Sequence, residues 1–66
     1  MVETTINGIH MVLRLQSGQC MIYLDNRPMP YFMEWRNDRW ILPTWNIPDY
    51  LKAIEDDISN FIMVNT

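Results

Sequence analysis

His10 is the single histidine of the 66-residue chain. If the residues around it form a hairpin, it stands across the ladder from Asp25, and a carboxylate there could orient an imidazole for general acid–base work. A lone, exposed His–Asp pair across two strands is, however, ordinary surface chemistry. Cys20 is the only cysteine, and it would act as a nucleophile only as a thiolate. Its neighbours in the alternating pattern, Leu15, Ile22 and Leu24, place it on an apolar face, where burial raises a thiol pKa. It reads as a small packing residue. Glu55, Asp56 and Asp57 suggest a cation, but consecutive helical positions diverge by about 100° and do not converge on one ion. No Cys/His cluster has zinc spacing, and there is no phosphate loop, nucleophile triad or RNA-binding signature. The expectation is a chain with no catalytic, cofactor-binding or metal-binding residues, and therefore not an enzyme.

Binding chemistry is better represented. Arg36 and Arg39 are expected side by side at the tip of a hairpin, with Phe32, Glu34 and Ile41 further along the same face. Like charges opposite one another are unfavourable, so the pair suits an acidic partner, unless Glu34, diagonal to Arg39, relieves it. With Arg14, Tyr23 and Phe32 the same arginines compose an alternative reading, a small nucleic-acid-binding domain in which bases stack on an open sheet. A net charge of -3 argues against that. A third feature is acidic: Asp49, Glu55, Asp56 and Asp57 on one helix offer a negative surface to a basic partner. Such a surface could also compete for a nucleic-acid groove on another protein, an inhibitor by charge.

These residues need elements to hold them, and the turns mark the elements. Asn7-Gly8 suits a type I′ hairpin, in which both central residues take positive φ, and it would pair Val2 to Ile6 with the strand beyond the turn. From His10 to Asp25 the chain alternates about Ser17-Gly18. With that loop, Leu15 faces Cys20, Leu13 faces Ile22 and Met11 faces Leu24, all apolar, while His10, Val12, Arg14, Met21, Tyr23 and Asp25 form the other face. A slip of one residue in one strand would destroy this agreement. Asp25 to Pro30 carries two prolines and reads as a loop. A third hairpin, Tyr31 to Leu42, turns at Asn37-Asp38 and sets Trp35 opposite Trp40 and Met33 opposite Leu42, all four expected in the core. Beyond Pro43-Thr44-Trp45 the period changes. Ile47, Tyr50, Leu51, Ile54, Ile58, Phe61 and Ile62 form one helical stripe between Asn46 and Val64. Asn46 is the expected N-cap and Pro48 sits in the first turn. Lys52, Glu55, Asp56, Asp57, Ser59 and Asn60 fall on the solvated side.

The fold class is thus α+β, an antiparallel β-meander of about four to five strands packed by one C-terminal amphipathic α-helix, with residues 1–66 as a single domain. A chain of this length hides only about 60% of its unfolded surface. With 48% apolar residues, including three Trp and six Met, it must fold, but without disulfide or metal staples, which makes a homodimer or a complex a natural source of added stability. The N-terminus has no basic or apolar signal regions, and no apolar run approaches the ~20 residues of a membrane span. The expectation is a cytoplasmic protein with no membrane association.

One helix covers one face of a sheet. Val12, Met21, Tyr23, Phe32 and Ile41 belong to the other, and need a cover unless the strands close into a small barrel. Aromatic and Met residues rimmed by Arg match the composition of protein interfaces. The functional expectation is a protein-binding module that occupies a surface of a larger protein, of the kind found among small phage and plasmid accessory proteins or inhibitors. Its partner-binding residues would be Val12, Arg14, Met21, Tyr23, Phe32, Arg36, Arg39, Glu55 and Asp56.

Overall fold

Three two-residue loops build the sheet. Asn7 and Gly8, Ser17 and Gly18, and Asn37 and Asp38 all have φ between 49° and 81°, the double left-handed geometry of type I′ turns, whose twist matches that of the strands they join. A Cβ at Gly8 or Gly18 would meet nothing within 4 Å, so glycine is there for its backbone freedom and not for space. The structure, a computed structural model, describes residues 1–43 and 46–65. Thr44 and Trp45, in the link expected before the helix, lie outside the described residues.

The strands are β1 (Val2–Ile6), β2 (Ile9–Gln16), β3 (Gln19–Leu24), β4 (Tyr31–Arg36) and β5 (Arg39–Ile41). They form one antiparallel, curled meander in the order β1-β2-β3-β4-β5. β1 and β5 are its two edges, so among the described residues the sheet is open and not a closed barrel. The expected registers hold: Met11 faces Leu24, Leu13 faces Ile22, Leu15 faces Cys20, Trp35 faces Trp40 and Arg36 faces Arg39.

The helical region differs from a single rod. α1 (Asp49–Lys52) and α2 (Glu55–Val64) are separated by Ala53 and Ile54. Ile54 takes φ -108° and ψ 16°, and its N–H bonds Leu51 three residues back, a tight turn that ends α1. Asn46 is no N-cap: it adopts φ 61°, and the cap position is Pro48, with no side-chain hydrogen bond. The bend still delivers the main stripe. Leu51, Ile54, Ile58 and Ile62 are buried, and close the core with Met11, Leu13, Cys20, Ile22, Leu24, Tyr31, Met33, Trp40 and Leu42.

Two aromatic residues assigned to the core are not in it. Tyr50 is 51% exposed and Trp35 46% exposed. Tyr50 lies on the short α1, ahead of the bend. Trp35 lies near the hairpin tip and meets Trp40 edge-on, with ring centroids 5.5 Å apart. Leu15, expected on the core face, is likewise exposed at the end of its hairpin.

Candidate functional site

The outer face of the sheet is assembled by the ladder. Val12 stands opposite Tyr23, Arg14 opposite Met21, and Met21 opposite Phe32, so five of the expected partner-binding residues are neighbours on three adjacent strands. Ile41 continues the face on β5, opposite Glu34. Neither α1 nor α2 covers this side. Phe32 is 41% exposed, while Val12, Met21, Tyr23 and Ile41 are half-buried. The Tyr23 hydroxyl donates to Met21 Sδ at 3.2 Å, which holds the ring along the sheet. Arg14 is exposed beside Met21 and has no ion-pair partner among the described residues.

The remaining expected residues go elsewhere. Arg36 pairs with Glu34 at 2.9 Å. Arg39, expected beside it on the outer face and relieved by Glu34, instead reaches α2, where it pairs with Asp56 and, at 3.5 Å, with Glu55. The curl of the sheet is the reason, since it lays β5 along α2. Glu55 and Asp56 are therefore not a free acidic surface. Glu55, only 13% exposed in its side chain, accepts the Leu42 N–H at 2.6 Å and a Lys52 Nζ bond at 2.9 Å. Ser59, expected in solvent, is 3% exposed, and its Oγ accepts the Trp40 N–H at 2.9 Å. Burial pushes the Glu55 carboxyl up, but the Leu42 and Lys52 hydrogen bonds and the charges of Lys52 and Arg39 outweigh it and leave its pKa below 4.5. A sequence cue existed: Ser59 falls one position after Ile58 on the stripe's flank, where a small hydroxyl fits against a strand edge.

The second polar cluster surrounds His10. Its Nδ1 lies 2.6 Å from Asp25 Oδ1 and its Nε2 lies 2.5 Å from Glu3 Oε2. A carboxylate oxygen accepts, so both contacts are made as hydrogen bonds when each ring nitrogen carries a proton. The hydrogen bond to Asp25, then that to Glu3, hold its pKa above 6.5. The expected His10–Asp25 pair exists, but the partner on β1, Glu3, was missed. Glu3 lies on the strand beyond β2, and only the β1–β2 register, Glu3 facing Val12 and Thr5 facing His10, brings it diagonally into reach. Cys20 is fully buried, and burial pushes its thiol up to about 11. Among the described residues no group of three His, Cys, Asp or Glu could hold a metal ion, and no helix is long and apolar enough to cross a membrane.

Comparison with protein-family models, curated proteins and solved structures yields no match to this chain.

Proposed function

We propose that this chain is a non-enzymatic protein-binding module whose docking surface is the outer sheet face, Val12, Arg14, Met21, Tyr23, Phe32 and Ile41. The observation that carries the reading is the apolar face that, among the described residues, neither helix covers. It lies on rigid paired strands, is centred on two aromatic rings, and has Arg14 at its margin as an unmatched charge. Buried aromatic anchors with a polar rim are where interface energy concentrates. Arg14, without an ion-pair partner among the described residues, favours a partner with a carboxylate beside an apolar patch. Binding would occupy a surface of that partner, which is how a small chain without reactive groups inhibits or recruits a larger one.

Affinity capture from the native lysate tests this, with the protein as bait and identification by mass spectrometry. The wild-type chain retains a protein that Tyr23→Ala and Phe32→Asp both lose, while circular dichroism melting of Tyr23→Ala stays close to wild type. Equal retention by all three baits, or none by the wild type, removes the proposal.

A further inference from the structure

The two edges of the sheet are finished differently. In a type I′ hairpin the residues flanking the loop form a hydrogen-bonded pair, and bonding then alternates along the strand. On β5 this directs the Trp40 N–H away from β4, with the Leu42 N–H following the same alternation just past the strand's end. Both are taken by α2, through Ser59 and Glu55. On β1 the same rule directs the N–H and C=O groups of Glu3 and Thr5 away from β2. No hydrogen bond outside the ladder reaches either backbone among the described residues. β1 also lacks what ordinarily blunts an edge: it has no Pro, no Lys and no bulge, its register with β2 is unbroken from Val2 to Ile6, and four of its five residues are β-branched.

We infer that the free edge of β1 pairs with β1 of a second copy of this chain, antiparallel about a twofold axis through Thr4, joining two five-stranded sheets into one of ten strands. The charges select this register. With the axis at Thr4, Glu3 lies opposite Thr5 of the other copy, Thr4 opposite Thr4, and Val2 opposite Ile6, so all five residues pair and the outward groups of Glu3 and Thr5 exchange four hydrogen bonds. An axis at Glu3 would set two carboxylates face to face, and an axis at Thr5 would run Glu3 into the Asn7 turn. The one charge on the strand, Glu3, is already engaged by His10 of its own chain. On the core-facing side Val2 is exposed at the end of the strand, and the other copy's Ile6 would cover it. An edge of five residues buries less than the ~800 Å² per partner of a standard interface, so the association is weak and concentration-dependent. It uses the edge and not the outer face, so it stands or falls independently of the proposed docking surface.

Sedimentation equilibrium from about 10 µM to about 1 mM reads it directly, with the mass rising towards twice that of the monomer. Thr5→Pro removes an outward N–H while leaving every hydrogen bond to β2, and it is expected to hold the chain monomeric with an unchanged circular dichroism spectrum. A monomer at all concentrations, or a dimer that survives Thr5→Pro, overturns the inference. If Thr5→Pro does not fold, Thr4→Cys and Val2→Cys decide it, since Cys20 is buried and does not compete. Under mild oxidation Thr4→Cys, on the axis, is expected to form a disulfide dimer at least about 10-fold faster than Val2→Cys, whose mate across the axis is out of bonding range. Equal rates would place the contact elsewhere.

Discussion

Two polar clusters fasten the two sides of this sheet, and burial separates them. At β5, Glu55 and Ser59 of α2 reach into the strand edge and take the Leu42 and Trp40 N–H groups, with Lys52 and Arg39 completing the charge balance. At β1, Glu3, His10 and Asp25 form a chain of hydrogen bonds in open solvent. The first cluster satisfies backbone donors that would otherwise be lost in the interior, so its removal is costly whatever the salt or the pH in the neutral range. The second links side chains that water would solvate equally well, and it depends on one proton. A short chain thus invests its buried polar contacts where helix meets sheet, and leaves the opposite edge to an adjustable contact.

The contrast yields graded expectations. Ile58 is fully buried on α2 between Glu55 and Ser59, so Ile58→Ala should cost about 2–5 kcal/mol by the loss of core packing. Thermal melting reads that loss. Native-state hydrogen exchange should show the Trp40 and Leu42 amides released ahead of those of β1. Ser59→Ala leaves the Trp40 N–H buried without a partner and should cost about 1–3 kcal/mol, with no change at β1; urea titration measures it. Glu55 acts through pH. Its folded-state pKa lies below 4.5, so its contribution is complete above that value and fades as the pH falls through the lowered one. Glu55→Gln should flatten the acid limb of the stability profile. Arg39→Ala, whose pairs with Asp56 and Glu55 are half in solvent, should cost only about 0–1 kcal/mol and less in high salt.

The smallest effect belongs to His10. Its pKa is raised in the folded chain, so what the Glu3–His10–Asp25 contacts contribute is fully present below pH 6.5 and is lost as the pH rises through the raised value. Amide exchange of Val2, Thr4 and Ile6, corrected for the intrinsic rate at each pH, should quicken across that window in the wild type and show no such step in His10→Gln. An unchanged profile in the variant would mean that the ring does not hold β1.

Much of this was legible in the residues. Two-residue loops with Asn, Gly, Ser and Asp fixed all three hairpin registers, because the alternation of apolar side chains leaves one pairing that keeps every core residue on one side. The buried stripe Leu51, Ile54, Ile58 and Ile62 followed from its spacing. What period analysis could not give was the curl. It decides that Arg39 meets Asp56 and not the outer face, and that Ser59 is sealed against Trp40. The bend at Ile54 was hidden for a related reason: a helical stripe looks the same in sequence whether or not one turn tightens, and the fit of α1 and α2 to the curled sheet overrides the continuous propensity. For the candidate site, the outer face was readable because strand alternation is strict, whereas Glu3 entered the His10 cluster through a diagonal contact that no sequence spacing marks.

The three tight loops also bear on how the chain reaches this state. Each strand pairs with the one just made, and the last element, α2, docks on β5, its recent predecessor. Within the sheet no strand waits for a distant segment to return, so the entropy lost in closing each loop is small and is recovered at once by the next ladder, while the core faces of β2 and β3 are closed only when α2 docks. The sheet can assemble as a zipper in chain order, and the docking of α2 on its inner face is the long-range step that completes the core.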